Sequence, residues 1–175
     1  MFNPNEKMKT LSRTHLSLAA IVAGLALLGG QAQANVGLTG VWVDDTGKGA
    51  IEISECGTNL CGRIVWLKDQ TNTKGEPLTD KLNERASQRD RHICGLQVIG
   101  DLARQPNGSW DAGWIYDPKQ GKSFDVAIEM TNPDRLRVTG YLGTKLFSRT
   151  LIWTRAPAEL GRCTSARQAA IKPVR

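Results

Sequence analysis

Two short stretches far apart in the chain decide the fold: Gly40-Val41-Trp42 near the start and Trp153-Thr154-Arg155 at the end of the last strand-like run. In a closed β-barrel, a Trp on the first strand can fill the floor. An Arg from the last strand can stack on that ring by cation–π attraction, which contributes roughly 0.5–2 kcal/mol. We therefore predict that Trp42 and Arg155 close the barrel.

From residue 39 onward the chain consists of short β-patterned runs separated by Gly, Asn, Asp and Pro. The clearest alternation runs from Ser123 to Met130, and a turn at residues 132–134 joins it to a second alternating run, which predicts a hairpin. The predicted strands cover residues 40–44, 49–55, 60–67, 96–103, 109–117, 123–130, 135–142 and 147–155. About eight strands with mostly short turns predict an all-β, antiparallel up-and-down β-barrel.

One connection, residues 68–93, is polar and far longer than an ordinary hairpin turn. We expect a loop or a short side helix there, since residues 81–91 include good helix formers. Asp80, Asn83 and Arg91 form a predicted polar clasp at the barrel mouth, with Asp80 accepting bonds from backbone donors and Arg91 pairing with Asp80 or with a ligand anion. Structural and recognition roles both remain open for the clasp.

The N-terminus has the features of a secretory signal peptide. Lys7, Lys9 and Arg13 precede an apolar run over residues 16–28, and small residues end at Ala34. Residues 1–34 are therefore a predicted signal peptide, and residues 35–175 a single barrel domain with a C-terminal tail that can hold one short helix. No later apolar stretch reaches the length of about 20 residues that a membrane span requires. We expect a periplasmic or secreted protein after cleavage near Ala34.

The chain contains four Cys, all after the predicted cleavage site, which favours two disulfides in an oxidising compartment. Cys56 and Cys61 flank a turn-like segment, so their side chains can meet across a hairpin neck. Cys94 would then pair with Cys163 and fasten the C-terminal tail to the domain.

Several short motifs together form a recognisable pattern. They lie at residues 40–42, 47–49, 56–64, 80–83, 91–96, 113–118, 121–122, 140–143 and 153–155. The combined pattern resembles a bacterial family of exported proteins catalogued as domain of unknown function 2147 and, more loosely, the lipocalin-like (calycin) barrels. The resemblance spans nearly all of residues 35–175. It implies a lipocalin-like barrel without a settled activity, and it brings no catalytic residues.

Catalytic motifs are scarce in the sequence. His92 is the one His after the signal peptide, so neither a His-based triad nor a multi-His metal site can be assembled. We predict no catalytic residues, metal or cofactor. The net charge of +6 comes from cations scattered among acids, which argues against a nucleic-acid partner, and we expect a monomer.

The aromatic residues suggest a ligand site. The chain has five Trp, and on the pleat of the predicted strand Trp110, Trp114 and Tyr116 share one face. These rings and Trp66 can line a barrel interior, and Arg149 can supply an inward cation for a carboxylate head group. We predict a small hydrophobic or amphipathic ligand such as a lipid or fatty acid.

Two other interpretations remain open. In the second interpretation, the rings fill a solid barrel, since eight strands leave an interior only wide enough for side chains or one small molecule. Such a barrel would act through its surface on an envelope protein or a glycan. In the third interpretation, the protein is an enzyme that uses carboxylates at the barrel mouth, with Asp80 the residue to test.

Overall fold

The structure, a computed structural model, describes residues 37–163. The predicted signal peptide and the predicted helix of the tail lie outside these residues. Eight strands follow one another along the chain: β1 (Gly40–Val43), β2 (Gly49–Cys56), β3 (Asn59–Leu67), β4 (Gln97–Arg104), β5 (Trp110–Asp117), β6 (Lys122–Asn132), β7 (Arg135–Leu142) and β8 (Thr144–Arg155).

The strands form a closed barrel in which each strand pairs with the next, and β8 returns to β1. All pairs are antiparallel. The predicted all-β, eight-stranded, up-and-down barrel is thus confirmed. The β1–β2, β3–β4, β5–β6 and β7–β8 connections share one end, here called the mouth. The other connections, the start of β1 and the end of β8 lie at the opposite side of the barrel, here called the floor.

Alternating apolar residues fill the inside of the barrel. On β6 and β7, for example, Val126, Ile128, Leu136 and Val138 are almost fully buried. Side chains directly opposite each other in an antiparallel pair point to the same face, so the register identifies the inward positions. The largest fully buried side chains are Trp42, Ile53, Ile99, Leu102, Ile128, Leu136, Val126, Val138 and Asp80.

Trp42 and Arg155 lie opposite each other where β1 meets β8. The Arg155 guanidinium stands 4.0 Å from the centre of the Trp42 ring, and its Nε donates a 2.7 Å hydrogen bond to the Pro133 carbonyl. The Trp42 indole N–H donates to the carbonyl of Leu38, 2.8 Å away. The first strand, the last strand and the β6–β7 turn therefore meet around the Trp42 ring.

The long segment between β3 and β4 is held by turns, and the predicted short helix is reduced to one 3-10 turn at Ala86–Gln88. Asn72 shows why the chain turns early in the segment: its side-chain oxygen accepts hydrogen bonds from the backbone N–H groups of Lys74 and Glu76. Farther along, a bridge between Thr79 and His92 closes a loop. An amphipathic helix needs an apolar stripe, which this polar sequence does not offer.

Both predicted disulfides are present. Cys56 and Cys61 pair across the β2–β3 turn with Cα atoms 5.8 Å apart, and Cys94 pairs with Cys163 at 6.1 Å. The second bond fixes residues 156–163, here called the strap, against the barrel. The strap is also held by Arg162, which forms a two-pronged ion pair with Glu52 at 2.5 and 2.8 Å. No helix among residues 37–163 is long and apolar enough to cross a membrane.

Candidate functional site

A bulge in β5 separates the aromatic residues that a regular strand would place together. Ala112 has φ +58°, and the pairing with β6 shifts register between Trp110 and Gly113. Trp110 lies opposite the buried Ile128, whereas Trp114 lies opposite the exposed Asp125. The expectation that Trp110, Trp114 and Tyr116 share one face is therefore wrong, because the extra residue of the bulge reverses the faces of all later residues.

Trp114 and Trp66 both belong to the outer face. The Trp114 ring lies against Gly100 on the neighbouring strand, where a Cβ would collide with it, and its N–H donates a 3.0 Å hydrogen bond to Asp101. Trp66 lies opposite Ala50, which precedes the inward Ile51 and so faces outward. Of the four aromatic residues predicted to line the interior, the register leaves Trp110 inside, near the floor.

The inward face of β7 and β8 changes along its length. Near the floor, Leu136 and Trp153 lie opposite each other and are buried. Toward the mouth the corresponding pair is Gly140 and Arg149. A Cβ at Gly140 would meet no atom within 4 Å, and Arg149 is exposed. Core side chains therefore fill the barrel near the floor, whereas the inward face is open near the mouth and the Arg149 cation lies at this opening.

Two half-buried apolar residues lie near this opening. Phe124 and Ile115 are directly opposite each other on β6 and β5. Phe124 is two residues from Val126, which pairs with Gly140, and diagonal neighbours on one face lie about 7–8 Å apart. We call Ile115, Phe124, Gly140 and Arg149 the mouth site. The sequence prediction included Arg149 but missed the other three, whose alternation with polar residues was the available signal.

The predicted clasp of Asp80, Asn83 and Arg91 is assembled at the mouth end and includes a fourth residue. Asp80 is fully buried, and its carboxylate accepts hydrogen bonds from Arg91 (2.6 Å), Asn83 (2.8 Å) and the Tyr116 hydroxyl (2.6 Å). The donors to this carboxylate are side chains, so the expectation of backbone donors is corrected. Tyr116, on the outer face of β5, connects the clasp to the barrel wall.

The environment of the clasp favours a neutral Tyr116 phenol. Burial raises the pKa of Tyr116, and its hydrogen bond to the negatively charged Asp80 raises it further. The side-chain amide of Asn83 also donates to the Tyr116 oxygen, 2.9 Å away. Both carboxylate oxygens and the phenol thus have partners, and this arrangement is that of a structural fastening.

A second polar cluster on the outer wall was not predicted. Asp111 accepts a 2.7 Å hydrogen bond from the Tyr141 hydroxyl and forms an ion pair with Lys145. Partial burial opposes ionisation of Asp111, but the bonds from Lys145, Tyr141 and the Ala112 backbone outweigh it and lower the pKa. Burial, followed by the bond to Asp111, raises the pKa of Tyr141 to about 12. The residues come from three strands, so their meeting depends on register.

A groove of about 250 Å³ lies beside the strap, outside the barrel core. Its two cations are already engaged, Arg155 with Trp42 and Pro133 and Arg162 with Glu52. The remaining wall is apolar or backbone. The lining residues are Val41, Val65, Arg155, Ala156, Pro157, Ala158, Leu160, Gly161 and Arg162.

An eight-stranded up-and-down barrel whose first and last strands meet at a Trp–Arg pair is a lipocalin-like barrel. The chain belongs to the bacterial family described as "Uncharacterized protein conserved in bacteria (DUF2147)", which matches residues 40–155. This confirms the family resemblance.

A solved structure shares the fold. It is described as "Protein HP1028 from the human pathogen Helicobacter pylori belongs to the lipocalin family". The TM-score is 0.63 at 22% sequence identity, over 77% of this chain and 98% of that chain. No curated protein matches the chain significantly in sequence.

Proposed function

We propose that the protein is an exported, monomeric barrel that binds a small amphipathic ligand at the mouth site, without turnover and without a nucleic-acid partner. The ligand class is an apolar chain with an anionic head group, such as a fatty acid. The observation that carries the proposal is the open space at Gly140 opposite the exposed cation of Arg149, above an otherwise filled barrel.

The chemistry of the mouth site suits such a ligand. Ile115 and Phe124 offer half-buried apolar surface, and an apolar chain gains roughly 25 cal/mol for each Å² it removes from water. Arg149 can donate two parallel hydrogen bonds to a carboxylate. Among residues 37–163, no ion pair engages Arg149. Because core side chains occupy the floor end of the barrel, the ligand would bind close to the mouth and its head group would reach solvent.

Two further observations support this proposal. Small hydrophobic ligands are the usual cargo of lipocalins, and the chain shares their fold. The two disulfides are consistent with export, which a signal peptide at residues 1–34 would direct. The domain would then comprise residues 35–175.

Native mass spectrometry tests the proposal. Protein exported from the full chain is weighed as purified, after denaturation and refolding, and after refolding with added long-chain fatty acid. We expect an adduct that is lost on refolding and restored by the fatty acid. A bare mass in all three samples contradicts ligand binding.

A second candidate function follows from the outer wall. The Trp114 and Tyr141 rings lie on the outside of β5 and β7 among the carboxylates of Asp101 and Asp111, an arrangement that suits contact with an envelope glycan or protein. A bare mass together with specific capture of an envelope component, lost in Trp114→Ala, would favour this candidate.

A further inference from the structure

The tip of the β7–β8 hairpin, residues 142–147 and here called the hairpin tip, carries an unusual amount of exposed apolar surface. Leu142, Leu146 and Phe147 are 61%, 83% and 75% exposed. Large apolar side chains in such proximity are rarely left in water without a use, because their burial is favourable. Core packing does not explain them, since none belongs to the core cluster.

Neither side of the ribbon is covered at the tip. Leu146 and Phe147 are consecutive residues, and both side chains stand in solvent. Within the described part of the chain, β8 pairs with β1 only through Arg155 and Thr154, at the far end of the strand. The Gly143 N–H donates a 2.9 Å hydrogen bond to Asp125 on β6, so the tip is anchored to the outer wall on one side, whereas most of the β8 edge that faces β1 has no strand partner among the described residues.

The segment that carries the tip has cations of its own and no acids, while Asp111 and Asp125 of the outer wall bond to Lys145 and to the Gly143 backbone. Residues 139–151 include Lys145 and Arg149 and contain no Asp or Glu. Lys145 reaches Asp111 on β5, whereas Arg149 has no ion-pair partner among residues 37–163. Cations beside exposed apolar and aromatic side chains are characteristic of segments that lie in the interface of an anionic membrane.

We propose that the hairpin tip inserts into an anionic lipid surface, with Leu142, Leu146 and Phe147 among the acyl chains and Arg149 at the head groups. A lipid phase surrounds an inserted segment, so it accounts for the exposure of the consecutive residues Leu146 and Phe147. A folded partner would cover one face. The inference concerns the tip and stands without the proposed ligand, although Gly140 and Arg149 would place the mouth site next to the membrane.

Vesicle flotation tests the proposal, using phosphatidylglycerol vesicles and pure phosphatidylcholine vesicles as probes. We expect the protein to float with the anionic vesicles and to bind the neutral ones more weakly. The double variant Leu146→Ser/Phe147→Ser should lose at least about tenfold in partition to anionic vesicles, because the apolar contacts are removed. Ile152→Ser is the matched control: Ile152 is also an exposed apolar residue of β8, at 42%, but lies away from the tip. It should change partition less than about twofold.

Several outcomes would overturn the proposal. They are failure of the unaltered protein to float with anionic vesicles, equal flotation of the double variant, or equal loss in the Ile152 control. A dimer in sedimentation velocity that the double variant converts to monomer, without vesicle binding, would instead assign the tip to a second copy of the chain. Thermal melts guard against misfolding, and since the altered residues are exposed, we expect unchanged midpoints.

Discussion

The hydroxyl of Tyr116 donates a 2.6 Å hydrogen bond to the buried carboxylate of Asp80 and so joins the long β3–β4 segment to strand β5. Arg91 and Asn83 complete the shell around this carboxylate. Since its oxygens have three side-chain donors and no access to solvent, Asp80 is best explained as a fastening. An acid acting on a substrate would need to be reachable.

This arrangement predicts that Asp80→Ala is strongly destabilising. The change leaves Tyr116 and Asn83 without a buried acceptor, and we expect a loss of about 2–4 kcal/mol in the free energy of unfolding, measured by urea denaturation. Tyr116→Phe should lose about 1–2 kcal/mol. Asp90→Ala, in an exposed position of the same segment, should stay within about 0.5 kcal/mol of the unaltered protein. Unchanged stability in Asp80→Ala would revive the enzyme interpretation.

Closure of the barrel depends on Arg155. Its replacement by Ala removes the cation–π contact with Trp42 and the hydrogen bond to Pro133, so we expect a loss of about 1–3 kcal/mol. Guanidinium denaturation measures it, with the exposed Arg104→Ala as the control. If the two variants are equally stable, the Trp–Arg pair does not hold the first and last strands together.

The two disulfides should contribute unequally. On the chain-entropy argument, the bond between Cys94 and Cys163, which closes a separation of 69 residues, contributes about 4 kcal/mol. The bond between Cys56 and Cys61, with a separation of 5, contributes about 2 kcal/mol. Paired Cys→Ser variants compared by thermal denaturation check this order, and the reverse order would mean that the strap adds little to the fold.

Alkaline pH should destabilise the protein through Tyr141. Its pKa is raised from 10.0 to about 12 by burial and by the bond to Asp111, so between these values the unfolded chain loses the phenolic proton while the folded protein keeps it. Stability is therefore fully present below pH about 10 and falls as pH rises toward about 12. Tyr141→Phe should flatten this decline, although Tyr116, whose pKa is also raised, leaves part of it. A decline that is identical in the variant would contradict the assignment.

Much of the fold was predictable because it depends on local pattern. Strand alternation predicted all eight strands, with bounds that differ from the observed ones by at most about three residues. The start of β8 shows the largest difference, because residues 144–146 are exposed and do not alternate regularly. The Cys56–Cys61 bond and the Trp42–Arg155 relation were predictable for the same reason, because each follows from which strands are adjacent. The Cys94–Cys163 bond was predictable as the remaining pair.

The site was less predictable because it depends on register. One extra residue at Ala112 turns Trp114 and Tyr116 outward, and no residue type in that stretch demands a bulge, since Ala at positive φ is uncommon. The meeting of Asp111 with Tyr141 likewise requires the exact pairing of three strands. Asp80 and Arg91 were identifiable as a pair, but their partner Tyr116 was not, because it lies outside the long segment.

The most direct test of the mouth site is a titration of the refolded protein with a fluorescent fatty acid. In Gly140→Val, the new side chain enters the empty space beside Arg149, and removing a strand glycine should leave stability unchanged or raise it by about 0.5–1 kcal/mol. We predict saturable binding that Gly140→Val abolishes and that Arg149→Gln weakens about fivefold to tenfold, while Arg104→Gln, at the floor end, has no effect. Binding that survives Gly140→Val and Arg149→Gln unchanged would show that the ligand does not occupy the barrel mouth.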